Sequence, residues 1–386
     1  MWNYKILTGC LLWWCWTSKG NAFHRQATDP QEVRVSKKIA FDFKASPEIH
    51  IYLALKYAHI AVMGWAKDSV KVEAEIIATG MALTEANRIL ERVTLGYDYT
   101  PQKLHMQLEI ASQQQIAKKN DNPLGNIMNG LVQSLISNPA PTHSTSADID
   151  QHNLKILIHI RLPQGAIQQI ENRYGSLELN GNFTGKLTAH LFYGNLKAEK
   201  LPYGQLEVSY GEAHFKHLSK ATANFRQSSI KIERAGELNL QSSSTTLEID
   251  SIASLWLDSR NDVATIKRAG KLNGKMQFSN LDVGQLGLES NLETHFGNLT
   301  VQKLLPSCTT LDVMARATNV KLEHLPSDTH YDIVVKPEKW QAPERLLRLE
   351  RQPFEGLKGH VRLVWNEGNA KRKIAIENRE GILIMK

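Results

Sequence analysis

Apolar and polar positions alternate with period two over most of this chain, and helical spacing is confined to short stretches. From about Leu177 to Leu325 one motif recurs: apolar, any, apolar, any, any, apolar. It reads Leu196/Ala198/Leu201, Ala213/Phe215/Leu218, Ile230/Ile232/Ala235, Leu247/Ile249/Ile252 and Ala264/Ile266/Ala269. It continues as Leu281/Val283/Leu286, Leu299/Val301/Leu304 and Val320/Leu322/Leu325, and an earlier copy opens at Leu177/Leu179. The copies from Leu196 to Leu281 start 17 residues apart, and the last two steps are 18 and 21. Five equal steps in a row are strong evidence of an internal repeat.

A second strand fills each repeat. It carries Leu206 and Val208; Ala221, Ala223 and Phe225; Leu238 and Leu240; Leu255 and Leu257; Leu272 and Met276. Bends fall at Tyr174-Gly175, Tyr193-Gly194, Tyr210-Gly211, Gly236, Gly270 and Phe296-Gly297. One such repeat cannot bury its inward face, whereas a stack of them makes a continuous apolar column. The expected fold is therefore mostly β: a β-solenoid (β-helix) of about 17–21 residues per turn over residues 151–335. Helical solenoids are disfavoured, because their repeats are longer and need helical periodicity. The outward file Glu178, Lys197, His214, Lys231, Glu248, Thr265, Asp282, Thr300 and Lys321 is expected to form a mixed-sign ladder.

Residues 23–111 read as a β-rich module with one short helix. Strands are expected at Lys38–Phe43, Ile49–Leu53, Ile60–Met63, Ser69–Ile77, Val93–Tyr99 and Leu104–Ile110. Thr84 is positioned to cap the helix, with Ala86, Ile89 and Leu90 on one side. Residues 112–150 break the pattern with glutamine, lysine and proline-rich stretches, and read as a polar insertion around a short amphipathic segment, Ile127–Ile136. Residues 336–386 read as a basic terminal cap with strands at Val361/Leu363/Trp365 and Ile382/Ile384. Residues 1–22 read as a signal peptide: Lys5, the apolar run Ile6–Trp16, and small residues Gly20 and Ala22 before a cut at Phe23. Leu7-Thr8-Gly9-Cys10 matches a lipobox in letters, but no apolar segment precedes it, which disfavours acylation.

Composition adds a compartment. The chain has 386 residues and a formal charge of +7. The leader and the last 51 residues hold that excess, so the body is neutral and nucleic acid is not an expected partner. Removal of the leader takes Cys10 and Cys15 with it and leaves Cys308, so no internal disulfide can support the mature fold. With the leader gone, no transmembrane segment is expected.

Candidate chemistry is sparse. The sequence has no G-x-S-x-G, H-E-x-x-H, Walker loop or G-x-G-x-x-G. No catalytic, cofactor-binding or metal-binding residue is therefore assigned, and no cofactor. His214 and His217 form H-x-x-H, but on a strand and its exit they point apart. Asp250, Asp258, Asp262 and Asp282 are the nearest to a glycosidase-like acid set, yet they fall at different offsets of their repeats. Cys308 lies in a turn-like stretch and reads as a small packing residue. Lys371-Arg372-Lys373 and the arginines from Arg345 to Arg351 could meet anionic groups or simply be solvated.

Three stretches carry a family resemblance: Arg161–Ala166, then Ile170-Glu171-Asn172-Arg173-Tyr174-Gly175-Ser176-Leu177-Glu178-Leu179, then Leu191-Phe192-Tyr193-Gly194-Asn195-Leu196-Lys197-Ala198. Together with Leu55–Trp65 they resemble the "putative adhesin" family of secreted domain-of-unknown-function proteins found in Bacteroidetes-type bacteria. Lys56 and Ala58 stand where that family commonly has Asn and Gly. The resemblance implies an exported β-helix and brings no catalytic residues with it. The function expected is a non-enzymatic envelope or cell-surface interaction or structural protein. It would be exported to the periplasm, the outer membrane or the surface of a bacterium, with envelope glycan or a surface protein as its partner. The alternatives are a polysaccharide-active β-helix enzyme and a periplasmic envelope-stress scaffold.

Overall fold

The structure is a computed structural model that describes residues 34–110, 153–347, 350–365 and 370–386. The expected leader, with Cys10 and Cys15, and the expected insertion at 112–150 lie outside the described residues. The chain is mostly β, and its strands form one long, mostly parallel sheet with a solenoid-like order.

The regular part is built from β8 (Ile167–Arg173), β9 (Ser176–Asn180), β10 (Lys186–Phe192) and β11 (Asn195–Ser209). It continues through β12 (Glu212–Arg226), β13 (Ser229–Ser243), β14 (Thr246–Arg260), β15 (Val263–Gln277), β16 (Asn280–Leu304) and β17 (Thr310–Leu322). Consecutive strands pair in parallel, so Leu196 meets Ala213, Ala213 meets Ile230, and Ile230 meets Leu247. The longer sequence steps are absorbed locally. A register shift between Ala269 and Lys271 changes the pairing of β15 with β16, and Glu289 of β16 then meets Thr310 of β17.

The inward positions read from the repeat are buried throughout, except Ala235, which is half-buried. Phe215 and Phe225 are the largest of them and are almost fully enclosed. Each buried Leu, Ile, Val or Phe contributes about 1.5–3 kcal/mol, and this column is the main stabilising term of the stack. The outward file also stacks: Glu178, Lys197, His214, Lys231, Glu248, Thr265 and Asp282 are successive register partners. Neighbouring outward positions form exposed ion pairs such as Lys220–Glu237 at 2.7 Å and Lys275–Glu293 at 2.8 Å. Such solvated pairs add little each, and they exclude like-charge registers.

At both ends the spatial order departs from the chain order. β1 (Val35–Lys44), β2 (His50–Lys56), β3 (Ala58–Trp65) and β4 (Ser69–Ala78) precede helix α1 (Leu83–Arg92). β5 (Val93–Thr100) and β6 (Lys103–Ile110) follow it, and β7 (Leu154–Pro163) resumes the chain. β2 lies between β6 and β8, and β3 between β7 and β9, all parallel. The chain's first rung is thus interior. β1, β4 and β5 close the end with antiparallel pairings. Thr84 does not cap α1. The N-cap is Ala82, with no side-chain cap bond, because burial of Ala86, Ile89 and Leu90 places the helix. Its other end is held by Lys37, whose Nζ donates to the carbonyls of Leu90 and Val93.

The C-terminal end repeats this device. β18 (Thr329–Val335), β19 (Trp340–Gln341), β20 (Glu350–Pro353), β21 (Val361–Trp365), β22 (Arg372–Asn378) and β23 (Leu383–Met385) complete the chain. β22 lies between β17 and β18, and β23 between β17 and β19. Antiparallel β21 and β20 close this end. The last rung therefore sits inside the stack, with Ile374, Ile376, Leu383 and Met385 buried. Deletion of residues 371–386 should remove four side chains worth about 1.5–3 kcal/mol each and uncover two strand edges. Urea denaturation and limited proteolysis should show a lower midpoint with early cleavage after Leu322. Lys220→Ala, on the exposed face, should shift the midpoint by less than about 0.5 kcal/mol.

Candidate functional site

The most distinctive surface is one corner of the stack. There, rung after rung, a non-glycine residue takes a left-handed conformation: Tyr57, Tyr174, Tyr193, Tyr210, Gln227, Ser244, Asn261, Phe278, Phe296 and Ala317. Their φ values lie between 46° and 59°, a region that normally costs a side chain about 1–2 kcal/mol. The corner is tied down by main-chain bonds that continue the ladder, such as Tyr193 N to Ser209 O at 2.9 Å and Tyr210 N to Arg226 O at 3.0 Å.

Stacking of the corner side chains offsets part of that strain. Tyr57, Tyr174, Tyr193 and Tyr210 form a file with ring centroids 5.2, 5.4 and 4.7 Å apart and planes within 18°. Phe192 meets the edges of Tyr193 and Tyr210. Phe278 and Phe296 make a second stack at 4.9 Å. Between the two stacks stand three polar corners, Gln227, Ser244 and Asn261.

The residue after each corner must be small or hydrogen-bonded to the backbone. A Cβ on Gly211 would lie 1.9 Å from the carbonyl oxygen of Gly194, so only glycine fits behind Tyr210. In the rungs from Gln227 to Phe278, Ser228, Thr245, Asp262 and Ser279 take this place instead. Ser228 Oγ donates to Arg226 O at 2.7 Å, and Thr245 Oγ1 to Ser243 O at 3.1 Å. Asp262 is buried, and its carboxylate accepts four hydrogen bonds. These come from Ser242 Oγ and Ser259 Oγ, both at 2.6 Å, Thr245 N at 2.7 Å and Arg260 N at 3.2 Å. Ser242 and Ser259 occupy inward positions that are apolar in neighbouring rungs, so the network replaces core packing at this corner. Asn172 and Asn378 serve the same corner near the two ends. Asn172 Nδ2 donates to Ala58 O at 2.8 Å, and Asn378 Nδ2 to Thr318 O at 3.3 Å. This gives the Asn-x-Tyr-Gly stretch at Asn172–Gly175 a physical role.

An open depression of about 610 Å³ lies where the tyrosine file ends. It is lined by Asn195, Tyr210, Gly211, Glu212, Gln227, Ser228, Ser229 and Ser244. Asn195 Oδ1 accepts from Glu212 N at 3.1 Å, which fixes the amide at its rim.

The four aspartates considered from sequence are not brought together. Asp262 is in the buried network, and Asp250 pairs with Lys267 at 2.6 Å, whose hydrogen bond holds its carboxyl below the usual range. Asp282 accepts from Gln302 Nε2 at 3.1 Å, and Asp258 is exposed opposite Gln241 and Lys275. His214 Nε2 meets Glu233 at 3.2 Å, while His217 is exposed two register pairs from it. Among the described residues no three His, Cys, Asp or Glu are grouped to hold a metal ion. Cys308 is free and buried, and burial pushes its thiol up, away from nucleophilic thiolate. Within the basic terminal segment, Arg372 contacts Asp328 and donates to Pro306 O at 3.0 Å. Arg362 clamps Asp332 with bonds of 2.8 and 2.7 Å. No helix among the described residues is long and apolar enough to cross a membrane.

The tyrosine file and the Asp262 network do not follow from the repeat of apolar positions. The first was visible as an aromatic recurring before each Gly at the repeat spacing. The second was visible only as serines interrupting an apolar column.

No protein-family model matches the chain, and no curated protein is significantly similar to it. Solved structures similar to the chain include two described as adhesion proteins. One, described as a "putative cell adhesion protein" from Clostridium sporogenes, is 11% identical with a TM-score of 0.17; the match covers 91% of this chain and 99% of that one. The other, described as a "putative adhesin" from Bacteroides fragilis, is 11% identical with a TM-score of 0.29; the match covers 75% of this chain and 97% of that one.

Asp262→Ala should leave two buried hydroxyls and two main-chain N–H groups without their acceptor. A loss of about 3 kcal/mol is expected in urea denaturation. Ser229→Ala, one exposed residue on the same corner, should cost less than about 0.5 kcal/mol.

Proposed function

We propose that this chain is an exported, non-enzymatic interaction protein of a bacterial envelope or cell surface, adhesin-like and built as a single β-helix. The observation that supports it best is the corner file from Tyr57 to Phe296. It offers side chains at a fixed rung spacing along the stack, with exposed aromatic rings and an open polar depression beside them. A surface of this kind suits an extended partner that contacts several rungs at once. The leader expected at residues 1–22 supplies the route out of the cytoplasm. The scattered aspartates argue against the polysaccharide-active alternative, which needs two converging carboxylates.

The test is expression with the chain's own leader, followed by fractionation, sequencing of the mature N-terminus and co-sedimentation with isolated envelope. The expected result is a chain starting at Phe23 that sediments with envelope and releases no reducing ends from polysaccharide. A cytoplasmic, uncleaved chain, or one that releases reducing ends, would contradict the proposal.

A further inference from the structure

We infer that the depression at the end of the tyrosine file is a binding site for an uncharged pyranose glycan, with one sugar ring laid against Tyr210. The inference rests on the interaction role above and names its ligand class. Within the file Tyr174 and Tyr193 each have a stacked neighbour on both faces and offer mainly edges to solvent, and Tyr57 at the far end is half-buried. Tyr210 differs. Tyr193 stacks on one face of its ring, Phe192 meets it nearly at right angles, and the next rung carries Gln227 rather than a fifth aromatic. Its other face therefore turns toward a polar rung.

The depression lies against this ring and spans the rungs of Tyr210, Gln227 and Ser244. A pyranose has an apolar C–H face and a rim of hydroxyls that both donate and accept. The site matches both features. The ring supplies the apolar platform. Asn195, Glu212, Gln227, Ser229 and Ser244 supply amide, carboxylate and hydroxyl groups around it. Asn195 spends its carbonyl oxygen on Glu212 N, which leaves its NH₂ group to donate. The lining contains one carboxylate and no Lys or Arg, so an anionic sugar would meet repulsion without compensation. Beyond Asn261 the second aromatic stack begins at Phe278. Three polar rungs separate the stacks, so Tyr210 and Phe278 lie four rung steps, about 19 Å, apart, which accommodates a short run of sugar rings rather than one residue.

The test measures binding of cellohexaose, chitohexaose and polygalacturonate to the full mature chain by calorimetry. The variants are Tyr210→Ala, Tyr210→Phe, Gln227→Tyr and Tyr203→Ala. At least one neutral oligomer should bind more tightly than polygalacturonate. Tyr210→Ala should weaken it about tenfold, and Tyr210→Phe should retain it. Gln227→Tyr extends the file, covers the platform and removes one amide of the lining, so it too should weaken binding while leaving the unfolding midpoint unchanged. Tyr203→Ala, an exposed tyrosine outside the depression, should change nothing. Three results would each overturn the inference: no binding of either neutral oligomer, tighter binding of polygalacturonate, or wild-type affinity retained in Tyr210→Ala and Gln227→Tyr. Envelope co-sedimentation of the same protein separates the two proposals. If it persists while oligosaccharide binding fails, the site assignment fails alone; if it is lost as well, the interaction role fails with it.

Discussion

Parallel, in-register pairing is the constraint on which the rest of this structure depends. Once Leu196 sits on Ala213 and Ala213 on Ile230, every side chain is placed over its counterpart one rung away. Equivalent positions of the repeat then meet at every column. Inside, that yields a continuous apolar core. On the flat outer face it would place equal charges together, and the chain avoids this by varying sign from rung to rung, as in Glu178 and Lys197 at 3.2 Å. At the corner it requires the same strained left-handed geometry each time, and the strain is spread over rings that stack or polar groups that bond to the main chain.

The corner exists in two chemical versions, and the transition between them generates the candidate site. Where Gly follows the corner residue, the backbone closes in and a tyrosine can stack. Where Ser, Thr or Asp follows, its side chain is buried and bonded to the main chain or to neighbouring hydroxyls, and beside Thr245 and Asp262 the core position is serine. Asp262 is the centre of the second version, with its carboxylate satisfied entirely by hydroxyl and main-chain donors. A buried carboxylate in this state is costly to remove and rigid in place, which is useful beside a binding surface. The exposed end of the tyrosine file is a direct result of the change from one version to the other at Gln227.

Much of the regular region was legible in the amino-acid sequence, because period-two alternation reports burial and equal spacing reports stacking. The positions from Leu196 to Leu325 were read from pattern and are buried apart from half-buried Ala235. The ends were less legible. Ala58 pairs with Ile156 and Thr310 with Lys373, distances at which no local period survives. Thr84 suggested a cap by residue type, but tertiary burial of Ile89 and Leu90 set the helix start at Ala82. The candidate site was legible only in part. Tyrosine before glycine marked a bend, while the stacking and the depression depend on three-dimensional register.

The most direct test of the stacked register is pulsed electron–electron distance measurement. Spin labels would be placed pairwise at Glu178 and either Thr265 or Asp282, in a Cys308→Ala background. These positions share one outward file, five and six rungs apart by register. Rungs separated by about 4.8 Å place them about 24 and 29 Å apart, so one further 17-residue step should lengthen the distance by about 5 Å. Narrow distributions with that increment are the expected result. Broad distributions, or a distance that does not grow with the added rung, would contradict the stack.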